Sequence, residues 1–268
     1  MSLIDLGERL HPYQTVFNFR DFGGYRGEGG RSVVTGRLFR SAHLANLSDA
    51  DMQALGGLPI DYIMDFRHAP ERLKQPSRWS GEARVMTQPE ARETLVAAPH
   101  EAFAREHLHT AEDARRYMMD SYGKRMSDPS FKALHRDALL AMTEEDAVQP
   151  AGVLVHCAAG KDRTGTFVAL VQALLGVDSD DIMSDYMLTE TAVDIEAILE
   201  PAAQLYSERY GRPISADALR PMFGVDPDYL AVSLESMGEA EGYARDALGL
   251  DAQALERLRE RYLVGAPA

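Results

Sequence analysis

The stretch Val155-His-Cys-Ala-Ala-Gly-Lys-Asp-Arg-Thr-Gly165 restricts what this chain can fold into more than any other part of it. Before it lies Pro150-Ala-Gly-Val-Leu-Val-His156, an apolar run with the length of one buried strand. After it, Arg163 to Leu175 reads as a helix stopped by Gly176, a residue favoured just past a helix C-terminus. A strand that hands a cysteine to a loop of small residues, with a helix opening straight out of the loop, belongs to an α/β sheet. Ala158, Ala159 and Gly160 leave a tight curl unobstructed. A loop curled in this way turns its backbone N–H groups inward and makes an anion-binding nest at a helix N-terminus. Arg163 stands where its planar guanidinium can grip two oxygens of a bound phosphate. The fields that hold an anion also favour thiolate over thiol, so one device binds an oxyanion and arms Cys157 as a nucleophile.

The remaining residues extend the same architecture. Gly23 to Gly30 is a glycine-dense bend that reads as a hairpin, leading into Ser32-Val33-Val34 and Arg37-Leu38-Phe39-Arg40. Ser48-Asp-Ala-Asp51 has the form of a capping box, and Gly56-Gly57 closes the short helix it opens. Ile60 to Phe66 alternates and is rich in strand formers, and Ala83 to Thr87 reads as a further strand. Helical spacing appears at Phe131, Leu134, Ala138 and Met142. Further helices are expected over 179–210, bent or broken near Pro201, over 227–248 and over 251–263. Asp178-Ser-Asp-Asp181 reads as a helix cap with acidic first-turn residues. With no linker long enough to divide 268 residues, the expectation is one domain over residues 1–268, a central, mostly parallel sheet flanked by helices.

Composition excludes several function classes. Forty-two acidic against 28 basic side chains leave a net charge of −14, a poor match to the phosphate neutralisation on which nucleic-acid binding depends. Cys157 is the single cysteine, so no intrachain disulfide forms and nothing demands an oxidising compartment. The first ten residues lack a cationic flank followed by an apolar run, and no stretch approaches the ~18 apolar residues of a membrane helix. The expectation is a cytoplasmic protein without stable membrane insertion, non-standard secretion being left open. Gly160-Lys161 is not a nucleotide P-loop, because position 155 is Val and position 162 is Asp.

Cys-x5-Arg preceded by His and followed by Thr resembles the signature loop of the protein tyrosine phosphatase superfamily. The Gly-Lys-Asp-Arg-Thr-Gly form is similar to the bacterial branch that includes the mycobacterial tyrosine phosphatase B type and Listeria-type tyrosine and lipid phosphatases. Asn18-Phe-Arg-Asp-Phe-Gly-Gly-Tyr25, Gly36-Arg-Leu-Phe-Arg-Ser-Ala-His-Leu44, Ile63-Met-Asp-Phe-Arg67 with Glu71, and Asp246-Ala-Leu-Gly-Leu250 resemble other motifs of that branch. The likeness covers most of the chain, residues 90–145 least.

The resemblance implies a phosphatase-like fold and a cysteine-dependent phosphomonoesterase that acts on phosphotyrosine, with phosphoserine and phosphothreonine as further substrates. It implies a phosphocysteine on Cys157, charge stabilisation by Arg163, a Thr164 hydroxyl donating to the departing thiolate, and His156 orienting the loop. Ala158, Ala159, Gly160 and Lys161 complete the substrate-binding loop, and neither metal nor cofactor is required. For the general acid the branch offers Asp162 or Asp65. Asp162 is favoured because it lies beside Arg163, and the competing reading of Asp65 is a buried carboxylate paired with Arg67 or Arg40. Lys161 adds a charge that phosphotyrosine does not need, which brings in a phosphoinositide-first lipid phosphatase as the alternative. A catalytically inactive phosphate-binding module and a rhodanese-type sulfurtransferase are the weaker readings. Residues 90–145 are expected to form a helical insertion that lids the active site.

Overall fold

Alternation along three short strands decides the layering of the molecule. The computed structural model describes residues 13–87, 109–144 and 149–265. Its main sheet has the order β1 (Arg20–Asp21), β3 (Leu38–Ser41), β6 (Val153–His156), β4 (Tyr62–Asp65), β5 (Arg84–Thr87). β3, β6, β4 and β5 run parallel and β1 is antiparallel to β3, so the sheet is mostly parallel as expected. Successive side chains on a strand face opposite sides. Leu38, Met64, Val153 and Val155 therefore enter the larger core, while Phe39, Ile63 and Leu154 enter a smaller one with Phe19, Leu44, Leu47 and Leu55. Burial on both faces explains why these strands read as near-continuous apolar runs.

Helices and a second, two-stranded sheet surround this one. The smaller core is covered by α1 (Asp49–Gly56). The Ser48 hydroxyl caps α1 by accepting from the Asp51 N–H at 3.1 Å. Only half of the expected capping box forms, because the Asp51 carboxylate turns to the Thr15 N–H and hydroxyl instead. The 24–33 segment is the expected hairpin, with Arg26 bridged to Ser32, and β2 (Ser32–Val33) also pairs with β7 (Leu263–Val264). α2 (Ala69–Lys74) follows β4. The larger core is built from α3 (Ala111–Arg125), α4 (Pro129–Met142), α5 (Asp162–Leu174), α6 (Ser179–Met187), α8 (Ile195–Tyr210), α9 (Ala216–Phe223), α10 (Pro227–Met237) and α11 (Ala252–Tyr262), with the short α7 (Thr189–Ala192) linking α6 to α8. α5 ends at Gly176 in the left-handed conformation, φ 73°, as its sequence predicts. Phe131, Leu134, Ala138 and Met142 all lie buried on α4, and the Asp178 side chain caps α6.

The helical stretches differ from expectation in three places. The 179–210 stretch breaks at Val193-Asp194, where Val193 is extended and the Asp194 carboxylate accepts from the Ala197 N–H, and Pro201 sits inside α8. The 227–248 stretch ends its first helix at Gly238, φ 70°, before a π-helical turn at Tyr243–Ala247. Most important, α3 and α4 of the proposed lid are core elements. Ala114, Met118, Tyr122, Leu134 and Ala138 are fully buried in the larger core, so these two helices are built into the body of the fold. The rest of that expectation, 90–108 and 145, lies outside the described residues. Among the described residues no helix is long and apolar enough to cross a membrane.

Candidate active site

β6 ends at His156, and the chain turns through Cys157 to Lys161 before α5 begins at Asp162. Three successive carbonyls of this turn are held by donors outside it. That of Ala158 accepts from the His43 N–H at 3.1 Å, and that of Ala159 from Asn18 Nδ2 at 3.2 Å. Gly160 accepts from Asn18 Nδ2 at 3.0 Å and from Arg40 Nη2 at 2.9 Å. In a trans peptide the N–H points opposite to the C=O, so the amides of Ala159, Gly160 and Lys161 face inward, and the first free amides of α5 add to them. This is an oxyanion nest. Gly160 makes the curl possible: its φ is 67°, and a Cβ there would stand 2.2 Å from the Ser41 carbonyl oxygen. Gly160→Ala is expected to weaken inorganic phosphate binding at least tenfold, measured by the phosphate-induced rise in Tm; an unchanged rise would contradict the close approach.

Behind the nest lies a buried ion network that reaches the loop from three elements. Arg40 Nη1 donates to Asp185 Oδ2 at 2.7 Å, and Arg20 Nε lies 3.5 Å from Asp185 Oδ1. Arg20 also donates to the Asn18 side-chain oxygen and orients the amide that holds the loop carbonyls. Asn18 takes the left-handed conformation, φ 57°, which asparagine tolerates better than most residues.

Arg163 is held end-on. Its Nη1 and Nη2 meet Glu71 Oε2 and Oε1 at 2.6 and 2.9 Å, and Nη1 also donates to the Phe66 carbonyl at 3.1 Å. Of the five guanidinium N–H groups, this leaves the Nε–H and one Nη2–H, which share the side edge of the fork. That edge has the spacing of two phosphate oxygens. Burial would raise the Glu71 carboxyl, but the adjacent guanidinium outweighs it and holds the carboxyl at about 2. Arg163 is raised in turn, burial opposing and Glu71 prevailing.

The two aspartates have different surroundings. Asp65 is 2% exposed and grips Arg67 with both oxygens, 2.9 Å to Nε and 2.7 Å to Nη2. Burial would raise its carboxyl, but His156 and this guanidinium hold it below the usual range. Asp65 is thus paired with Arg67, one of the two arginines named for it from sequence. Asp162 lies on the pocket wall, and its Oδ1 accepts from the Tyr122 hydroxyl at 2.6 Å. His156 is fully buried, with Nδ1 3.4 Å from the Cys157 carbonyl and Nε2 3.7 Å from Asp65 Oδ2. Burial lowers its pKa, Asp65 opposing, so the neutral ring prevails. The Thr164 hydroxyl is buried with no hydrogen-bond partner among the described residues. An orphan donor of this kind is costly unless it meets a charge during the reaction.

A pocket of about 140 Å³ opens over this floor, lined by Cys157, Ala158, Ala159, Lys161, Asp162 and Arg163. Its other wall is Tyr206 of α8 with Met222 and Phe223 of α9. Among the described residues, 195–223 thus supplies this wall of the site. Lys161 lines the pocket, but its ammonium is turned to protein partners. It is 3% exposed, donates to the Met222 and Gly224 carbonyls at 2.6 Å each, and lies 3.5 Å from Asp162 Oδ1. Its residue type carries no hint of those carbonyl partners. Asn18, Arg20 and Arg40 belong to the sequence motifs, whereas Asp185, Tyr122, Tyr206, Met222 and Phe223 carry no local signal. Among the described residues no group of three or more His, Cys, Asp or Glu side chains could hold a metal ion.

Comparison with known proteins agrees with this geometry. The model of the tyrosine phosphatase family matches residues 11–264. A protein of Cupriavidus necator with a provisional tyrosine-protein phosphatase name is 30% identical over 94% of this chain and 88% of its own. The triple specificity protein phosphatase PtpB of Mycobacterium tuberculosis is 30% identical over 91% of this chain and 95% of its own. A tyrosine-protein phosphatase of Nostoc commune is 28% identical over 86% and 75%. With a strand-borne cysteine under an inward ring of amides and this match along nearly its whole length, the chain belongs to the tyrosine phosphatase family.

Proposed function

We propose that this protein hydrolyses phosphotyrosine and related phosphate monoesters through a phosphocysteine on Cys157. One observation carries the reading: the inward amides of the 157–161 loop and the side edge of Arg163 converge on the pocket floor that holds the sulfur. The Cys157 thiolate attacks phosphorus as the ester P–O bond breaks, and Asp162 gives its proton to the departing oxygen. Arg163 and the loop amides take up charge on the equatorial oxygens. A water then attacks the phosphocysteine, Asp162 takes its proton, and the S–P bond breaks to release phosphate. The orphan Thr164 hydroxyl donates to the sulfur anion as it leaves. His156, neutral and fixed between Cys157 and Asp65, orients the strand end. Ala158, Ala159 and Gly160 serve as the anion cradle.

The name of the mycobacterial relative supports a substrate range beyond phosphotyrosine, in which we include phosphoserine and phosphothreonine. Phosphoinositide hydrolysis stands second, because the Lys161 ammonium that suggested it is engaged by two carbonyls. We place the protein in the cytoplasm, where reducing conditions keep its lone cysteine a thiol.

A substrate panel with two variants tests the reading. Phosphotyrosyl peptide is expected to outpace both phosphoinositide and phosphoseryl peptide. Asp162→Asn is expected to lower kcat/KM for phenyl phosphate about a hundredfold and to spare kcat/KM for p-nitrophenyl phosphate, whose leaving group needs little proton assistance when the P–O bond breaks. Asp65→Asn is expected to lower Tm without changing that selectivity. If Asp65→Asn alone shows the leaving-group dependence, Asp65 is the acid.

A further inference from the structure

Asp162 reaches the pocket from a buried cluster on α3 and α6. The Tyr122 hydroxyl donates to Asp162 Oδ1 at 2.6 Å and lies 2.9 Å from the Tyr186 hydroxyl. Tyr122 and Tyr186 are 0% and 1% exposed, so no water competes for these groups. A hydroxyl has one proton to donate. If Tyr122 gives its own to Asp162, Tyr186 must donate to Tyr122, and the chain of donation runs one way: Tyr186 to Tyr122 to Asp162. Behind it, the Arg125 guanidinium lies 3.9 Å over the Tyr122 ring, and its Nε and Nη1 have no hydrogen-bond partner among the described residues. The Lys161 ammonium also approaches Oδ1, at 3.5 Å. Both described polar contacts on this carboxylate thus fall on one oxygen.

We infer that Tyr122, backed by Tyr186, is a positioning residue for Asp162, fixing Oδ1 as a pure acceptor so that the transferable proton resides on Oδ2. The inference rests on the proposed acid role of Asp162. A donor aimed at Oδ1 also fixes the rotation of the carboxylate, so the Tyr122 hydroxyl decides which oxygen faces the departing group. The charged and titratable groups facing Asp162 are Lys161, Arg163 and Cys157 from its own loop, Tyr122 and Arg125 from α3, Tyr186 from α6 and Tyr229 from α10. Of these, the Tyr122 hydroxyl makes the shortest contact with its carboxylate among the described residues, 2.6 Å against 3.5 Å for the Lys161 ammonium.

The test is the pH profile of kcat/KM for phenyl phosphate in the wild type, Tyr122→Phe, Tyr186→Phe and Asp162→Asn. Tyr122→Phe keeps the ring and its contact with Arg125. It is expected to move the alkaline limb upward by about one pH unit, because a hydrogen bond to a charged acceptor disappears while the acidic limb stays in place. Tyr186→Phe, which leaves the Tyr122–Asp162 bond intact, is expected to move the limb the same way by less. A folded Tyr122→Phe with the wild-type limb overturns the inference. Should that variant fail to fold, an unmoved limb in Tyr186→Phe overturns it. If Asp162→Asn itself retains the alkaline limb, the acid assignment fails, and the inference falls with it for that separate reason.

Discussion

Cys157→Ser is expected to lower turnover of p-nitrophenyl phosphate by about five orders of magnitude, on the scale seen when a nucleophile acting as part of a unit is removed. The substitution replaces one atom, and a hydroxyl at the floor of the pocket is far too weakly acidic to supply an anion at neutral pH. Anion binding is expected to survive. The nest is made of backbone amides whose opposing carbonyls are held by Asn18, Arg40 and His43, and the side edge of Arg163 is set by Glu71; none of these contacts involves the sulfur. The variant should therefore still show a phosphate-dependent rise in Tm while turnover is lost. Measurable catalysis at a tenth of the wild-type rate would mean that some other group attacks phosphorus. Loss of both catalysis and phosphate binding would mean that the sulfur shapes the loop as well as reacting.

Asp185→Asn is expected to give the largest loss of stability of any single side-chain change near the site, about 3–5 kcal/mol. Its carboxylate is the counter-ion of two arginines, and all three side chains are at most 1% exposed. Removing the charge strands two buried guanidinium groups at once, where breaking an exposed pair such as Arg116–Glu112 removes less than ~1 kcal/mol. For a chain of this size the expected fall in Tm is about 10 °C. The effect should reach the site as well, because Arg40 bonds Asp185 with one nitrogen and the Gly160 carbonyl with the other. Phosphate affinity should fall together with Tm. A Tm within about 2 °C of the wild type would show that the two arginines find other partners.

How much of this was legible in the sequence depends on the distance over which each piece is specified. The loop, its strand and its helix form one contiguous signal, because strand period, small residues and helix start succeed one another within a few residues of Cys157. The burial of α4 followed from its own spacing. The ion network did not follow, since Arg40 and Asp185 stand 145 positions apart and Asp185 looks like any acidic residue on an amphipathic helix. Glu71 and Arg163, 92 positions apart, meet only because β4 and β6 are neighbours in the sheet, which no local pattern states. In α3 the buried stripe of Ala114, Met118 and Tyr122 is spread among polar and charged neighbours, so its burial is not announced by local composition. Tyr206, Met222 and Phe223, which wall the pocket, read as ordinary core positions. The Arg67 partner of Asp65 was one of the two named from sequence, two residues away, whereas the Tyr122 partner of Asp162 lies 40 positions off and had no local signal.

The most direct test of the account is to look for phosphorus on the sulfur. Asp162→Asn should slow attack by water more than attack by the thiolate when the leaving group is p-nitrophenolate, so the intermediate accumulates. Rapid acid quench of this variant with phosphorus-labelled p-nitrophenyl phosphate is expected to place close to one equivalent of label on the peptide containing Cys157, with none in the Cys157→Ser protein. Turnover that continues with no label on that peptide would contradict a covalent route through Cys157.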